Sequence, residues 1–233
     1  MALTRSSENA HKLAAEIAAR IRTLPNLKTE VVRAVRREFS KRLSKATPRI
    51  VIDAAQRLMD SPAIEHRFVA YELVSKHPAA FASLGAKEIE RFGRGIDSWG
   101  AVDMFACYLA GPAWRERQVP DQLIHSWAHS KNRWLRRAAL VSTVPLNSKA
   151  RGGSGDTSRT LEVCRALVAD RDDMVVKAMS WALRELSKRD PKAVNLFLDG
   201  HQSVLAARVV REVRNKLSTG LKNPRLRNAG RVR

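Results

Sequence analysis

Leu135-Arg-Arg-Ala-Ala-Leu-Val141 and Val176-Lys-Ala-Met-Ser-Trp-Ala-Leu183 begin about forty residues apart, the length of one antiparallel helix pair in a repeat array. Arg67-Phe-Val-Ala-Tyr-Glu-Leu-Val74 is a looser third copy. Each stretch sets apolar side chains three and four residues apart, the period of a helix rather than a strand. The same period runs outward from these segments. Leu13, Ile17 and Ile21 form one stripe, and Val32, Val35, Phe39 and Leu43 form another. No segment alternates apolar and polar residues convincingly, as a half-buried strand would. Further helices are predicted at roughly 47–60, 64–77, 86–95, 98–110, 120–130, 132–144, 157–169, 173–188, 191–199 and 201–218. Pro25, Pro48, Pro62, Pro78, Pro112, Pro120, Pro145 and Pro191 fall between these segments or at their starts, where proline is tolerated. The expected fold is all-α, a solenoid of antiparallel helix pairs over residues 1–218 whose alternate helices line a curved, basic face. A compact bundle is the alternative.

Charge narrows the partners. The 233 residues carry 43 Lys and Arg against 23 Asp and Glu, a net charge of +20. Such an excess favours a polyanion, because each cation seated on a phosphate releases a counterion. Arg33, Arg37, Lys41 and Lys45 recur at four-residue spacing as a basic stripe beside the apolar one. It reads either as a solvated face or as a phosphate-tracking one. The tail from Thr219 to Arg233 holds Lys222, Arg225, Arg227, Arg231 and Arg233 and no acid. It is expected to be disordered and to add nonspecific DNA affinity. No apolar run is long enough to span a membrane, and the opening residues lack the apolar core of a signal peptide. Cys107 and Cys164 sit in apolar helical patterns, as reduced, packed thiols do. A cytoplasmic protein is expected, associated with the nucleoid when bound to DNA.

A few residues break the pattern. Asp103 is the only charge in Ala101-Val-Asp-Met-Phe-Ala-Cys-Tyr-Leu-Ala110. A lone carboxylate on so apolar a helix is costly unless it is paired or kept for chemistry. Trp99, four residues earlier, shares its face. Trp181 points roughly opposite the stripe of Val176, Met179, Leu183 and Leu186, among Lys177, Arg184, Glu185 and Lys188. That placement fits a binding surface, or packing against a further helical layer. Arg137 is flanked by Trp134 and Val141, so it should pair with a carboxylate or grip a phosphate, while Arg133 and Arg136 stand on more exposed faces. His125 and His129 are spaced to share a metal, but Ser126 stands where a zinc-protease helix needs Glu and no third ligand is evident. Arg151-Gly-Gly-Ser-Gly-Asp156 reads as a flexible loop, without the preceding strand or following Lys-Ser/Thr of a nucleotide-binding loop. Asp172 and Asp173 are expected to cap the next helix.

Three motifs together carry a family resemblance. Ser98-Trp-Gly-Ala-Val-Asp103, Asn132-Arg-Trp-Leu-Arg-Arg-Ala-Ala139 and Lys177-Ala-Met-Ser-Trp-Ala-Leu-Arg-Glu185 resemble, in order and spacing, the AlkD-type DNA alkylation repair glycosylases. The resemblance covers most of the chain. It implies a HEAT-like helical solenoid that excises alkylated purines from double-stranded DNA, acting as a monomer without metal or cofactor. By that resemblance Asp103 is the catalytic aspartate, Trp99 and Trp181 are the two tryptophans of the site, and Arg137 lies near the lesion's backbone. Arg33, Arg37, Lys41, Arg133, Arg136, Lys177 and Arg184 are the accompanying DNA-binding candidates. Two departures stand out. Ser98-Trp99 replaces a pair of adjacent tryptophans, and no tyrosine precedes residue 40 where characterised members have one.

The resemblance also implies a mechanism. A purine alkylated at N7 or N3 is cationic and leaves as a neutral base, so no general acid is required. The demand falls on the sugar cation left behind, which one carboxylate can stabilise. The family holds the lesion in the duplex rather than flipping it, and no base-reading pocket is evident in this sequence. Two other readings use the same basic helices: a non-catalytic solenoid that binds branched or bent DNA, and a protein-binding HEAT-type scaffold.

Overall fold

The computed structural model describes residues 2–224, with side chains from residue 9 onward. Among these residues the secondary structure is helical throughout, as the periodicity requires. The chain divides into two compact units, Met1–Leu123 and Ile124–Arg233.

The first unit contains α1 (Ala2–Arg22), α2 (Thr29–Arg42), α3 (Pro48–Leu58), α4 (Ile64–Ser75), α5 (Pro78–Ala82), α6 (Ala86–Phe92), α7 (Trp99–Phe105) and α8 (Gly111–Arg115). α1 and α3 lie side by side in one layer, with α2, α4 and α7 side by side in the other. α4 joins the layers. Phe68, Val69, Ala70, Tyr71, Leu73 and Val74 are all buried, so the helix is apolar around most of its circumference, as a helix packed on several sides must be. Tyr71 is fully buried against Phe92 and Phe105. Its hydroxyl donates to the Phe92 carbonyl at 2.9 Å. Burial pushes the Tyr71 pKa up, although Arg67 opposes the shift.

Between α7 and α8 the chain departs from expectation. The sequence predicts a helix ending near residue 110, with Pro112 as the break. Instead the helix continues to Arg115, and Ala106–Ala110 forms a π-turn. The Gly111 amide donates to the Ala106 carbonyl, five residues back. Pro112 offers no amide to the Tyr108 carbonyl, and its ring would crowd that carbonyl in a regular helix. A widened turn relieves both problems. Beyond it, Trp114 is fully buried and donates its indole N–H to Asp121 at 2.6 Å.

α9 (Asp121–Ala128) begins in the first unit and ends in the second. The second unit continues with α10 (Arg133–Ser142), α11 (Val144–Asn147), a single 3₁₀ turn (Lys149–Arg151), α12 (Thr157–Ala166), α13 (Asp173–Leu186), α14 (Pro191–His201) and α15 (Ala207–Thr219). α10, α13 and α15 lie side by side. α12 packs across α10 and α13, and α14 packs across α13 and α15. Each unit therefore stacks alternate helices in one layer and backs them with the intervening ones, the HEAT-like arrangement. Asp172 caps α13 by accepting from the Met174 amide at 2.9 Å. Asp173 sits in the first turn and binds Lys177 and Arg208 instead.

The glycine loop expected to be flexible is tied down. Asn147 is fully buried and donates to Thr160 Oγ1 and to the Thr143 carbonyl, while its own Oδ1 accepts from the Asp156 amide. Arg189 donates to the carbonyls of Asn147 and Gly153 at 2.8 and 2.7 Å. Gly153 lies so close to the backbone of Pro145 and Leu146 that an added Cβ would collide with the Pro145 oxygen. Cys107 and Cys164 are both buried, and burial pushes the Cys164 pKa up. No helix of the described residues is long and apolar enough to cross a membrane. Lys222 is described, but the rest of the basic tail's cations, from Arg225 onward, lie outside the described residues.

Replacing Gly153 with Ala should destabilise the chain by about 1–3 kcal/mol, because backbone rather than a flexible side chain would have to yield. Urea unfolding of the full chain followed by circular dichroism measures the change, and an unaltered midpoint would contradict the close approach.

Candidate functional site

Asp103 opens onto a cleft in the first unit. The Ser98 hydroxyl accepts from the Ala101 amide and starts α7, leaving Trp99 and Asp103 one turn apart on the same face. Asp103 is half-buried, while Trp99 is 62% exposed. The cleft has a volume of about 390 Å³. Val32 from α2, Ile64 and Phe68 from α4, and Met104 from α7 form its apolar walls. Its polar lining comes from Thr29, Arg33, Glu65, Asp103 and the Tyr108 phenol. Tyr108 belongs to the π-turn. In a turn closed by bonds to the fifth residue back, each residue advances by less than the 100° of an α-helix. Tyr108 therefore comes round toward the Asp103 side. It meets the Phe68 ring edge-on, with ring centres 6.3 Å apart.

A buried ion cluster stands behind the cleft. Glu72 on α4 is only 2% exposed. It accepts from Arg33 Nε and from Arg36 Nε, each at 2.9 Å. Arg33 adds a second contact to Glu72, from Nη2 at 2.9 Å, and the same nitrogen lies 3.5 Å from the Tyr108 hydroxyl. The Arg33 guanidinium also sits 5.2 Å from the Phe68 ring centre. Its hydrogen bond to Glu72 is the main cause of an Arg33 pKa raised above the ordinary value, so its charge is fixed. The basic stripe of α2 thus divides. Arg33 turns into the cleft wall and is committed to Glu72, whereas Arg37, Lys41 and Lys45 are exposed.

The other candidates lie in the second unit, on α10 and α13. Arg137 is 5% exposed and donates to the Met174 carbonyl at 2.6 Å, linking α10 to the start of α13. Arg136 bonds Asp170 at 2.7 Å and the carbonyls of Ser130 and Lys131, so it holds the entry to α10. Arg133 is exposed, stacks over Trp134 at 4.7 Å and lies 3.6 Å from Asp172. Lys177 bonds Asp173 at 2.6 Å. Trp181 is half-buried, in line with its two readings. Arg184 is half-buried and bonds the Ser180 hydroxyl at 3.2 Å, and that hydroxyl donates to the buried Glu212. Desolvation lowers the Arg184 pKa, against the pull of Glu212 and Glu185. His125 and His129 take separate partners: the first lies 3.5 Å from Glu162, and the second bonds the His125 carbonyl. Among the described residues, no three His, Cys, Asp or Glu side chains gather as metal ligands.

The structure thus brings Asp103, Trp99 and Arg33 to one cleft. Sequence reasoning missed Glu72, Arg36, Phe68 and Tyr108. Glu72 had a signal, since Phe68-Val-Ala-Tyr-Glu-Leu-Val74 contains a lone carboxylate in apolar company, as the Asp103 segment does. Tyr108 had none, because its position depends on a turn that helical periodicity does not encode.

No curated protein matches the chain. A solved structure described as a predicted DNA alkylation repair enzyme from Enterococcus faecalis superposes with a TM-score of 0.66 at 16% identity, covering 91% of this chain and 95% of that one. At that identity the likeness concerns the fold. The model of the DNA alkylation repair enzyme family matches residues 4–217, nearly the whole sequence. The chain belongs to the DNA alkylation repair enzyme family.

Proposed function

We propose that this protein is a DNA glycosylase that hydrolyses the N-glycosidic bond of cationic N7- and N3-alkylated purines in duplex DNA. The observation that carries this reading is Asp103, a half-buried carboxylate lining an open cleft one helical turn from an exposed indole. Family membership supports it.

The chemistry needs little else. The bond between C1′ and the purine nitrogen breaks, and its electron pair moves onto the base and neutralises the alkylated ring. C1′ is left with oxocarbenium character, and the Asp103 carboxylate stabilises that charge as it develops. Water adds to C1′ and gives up a proton, yielding free base and an abasic site. Trp99 offers an indole face to the cationic nucleotide, and Trp181 is a second proposed DNA contact, on the second unit. On the second unit Arg137, which also bonds the Met174 carbonyl, is the proposed phosphate contact, and the exposed Arg37 and Lys41 contribute charge along the backbone. The lesion stays within the duplex while it reacts.

Asp103→Asn should lower single-turnover release of 7-methylguanine by about two to three orders of magnitude while binding to lesion DNA persists. Unchanged rates would remove Asp103 from the role, and binding without any base release by the unaltered protein would favour a non-catalytic DNA-binding solenoid. A neutral adduct such as 1,N6-ethenoadenine should be released far more slowly than 7-methylguanine, because its leaving group carries no charge to neutralise. Mass analysis of bases released from the two duplexes makes the comparison. Replacing Arg37 and Lys41 together with Ala should reduce the slope of log K against log salt by about 2, one for each lost phosphate contact. Filter binding across a salt series reads that slope.

A further inference from the structure

A second cavity of the first unit plays no part in the proposed chemistry. It encloses about 380 Å³ and is lined by α1, the end of α3 and the start of α4. α1 contributes Ala14, Ala15 and Ala18 to the lining, so only methyl groups project there, and the buried Leu58 of α3 adds apolar surface beside them. The first turn of α4 serves both cavities. Ile64 and Glu65 line the cleft beside Asp103, and the next residue, His66, lines this one.

Its polar lining is mostly basic. Arg22 and Arg57 bring two guanidiniums, and His11 and His66 two imidazoles, against the single carboxylate of Asp60. Cations are common on a chain of net charge +20, but a merely basic surface does not need a buried imidazole. His66 is only 8% exposed, and its Nδ1 has no hydrogen-bond partner. A buried polar atom left unpaired costs stability, so it calls for an explanation. Burial lowers the His66 pKa, Glu65 raises it, and the positive charge of Arg22 lowers it again. An anion seated beside Arg22 would offset that last contribution. α4 adds the positive end of its dipole, since its N-cap is Ala63, whose side chain caps no amide.

We propose that this cavity binds a phosphate monoester of nucleotide size. The phosphate is held by Arg22 and Arg57 with His66 beside it, and the nucleoside lies over the alanines of α1. A monoester carries a charge of about −1.5 to −2 at pH 7, more than the single charge of a backbone diester, and so suits two guanidiniums grouped with an imidazole. The volume exceeds what a phosphate group alone fills. The same group can arrive on a free nucleotide or at the 5′ end of a DNA strand. None of these residues takes part in the glycosylase reading, so the site stands or falls without it.

The test titrates the full chain with deoxyguanosine 5′-monophosphate, deoxyguanosine and inorganic phosphate by calorimetry. The nucleotide should bind at least about tenfold more tightly than the nucleoside, and more tightly than inorganic phosphate. Its binding should shift the His66 ring resonances in NMR spectra. Arg22→Ala should weaken nucleotide binding about tenfold. Ala15→Trp, which fills the cavity from the α1 side, should abolish it. Both positions are exposed, so circular dichroism should show an unaltered fold. A second arm compares a short duplex bearing 5′-phosphate ends with the same duplex bearing 5′-hydroxyl ends. A preference for the phosphorylated end that Ala15→Trp removes supports the site and assigns it to DNA ends. Nucleotide binding without that preference supports it and assigns it to the free nucleotide. The proposal is overturned if neither phosphate source is favoured over its phosphate-free counterpart, if inorganic phosphate binds as tightly as the nucleotide, or if both variants bind undiminished.

Discussion

The ion cluster at Glu72 underlies the geometry of the first unit. A carboxylate 2% exposed in the middle of α4 is tolerable only because two guanidinium groups from α2 close on it. That requirement fixes the register of α2 against α4. Once the register is set, Val32, Phe68 and Arg33 all contribute to the cleft wall. Removing both guanidinium partners would leave the buried carboxylate without compensation, a cost of about 3–5 kcal/mol. One wall of the cleft is thus backed by a buried ion cluster.

This dependence explains how two similar sequence signals diverge. Glu72 and Asp103 are both single carboxylates in apolar stretches of helix, and burial is equally costly for either charge. The arginines of α2 reach Glu72, which makes it structural. Asp103 lies on the next helix of the same layer and lines the cleft with an exposed indole one turn away. Charge spacing along α2 did not separate these roles, because Arg33, Arg37 and Lys41 look equivalent on a helical wheel. Only the packing of α2 on α4 distinguishes the inward guanidinium from the outward cations.

The helical class was legible because a 3.6-residue period persists through most segments. Leu13, Ile17, Ile21, Val32, Val35, Phe39 and Leu43 are all buried, as their stripes require. The pairing of Trp99 with Asp103 was also legible, since both lie within one turn of one helix. What was not legible depends on long-range contacts or on backbone irregularity. The glycine loop reads as flexible by composition, yet the distant Arg189 and the buried Asn147 hold it. Pro112 reads as a terminator, yet the helix passes through it by changing pitch. Composition reports local preference, and both sites are governed by partners that composition does not reveal.

The π-turn has a further meaning for how the first unit is built. A five-residue turn holds one residue more than a regular helix would use, so Ala106–Ala110 works as a phase correction within a continuous rod. Upstream of it the rod is indexed to the cleft, through Trp99 and Asp103. Downstream it is indexed to the interior, through Trp114 and its bond to Asp121. Two faces that no constant pitch would serve together are reconciled by that supernumerary residue, and the helix that carries the carboxylate also anchors the end of the unit.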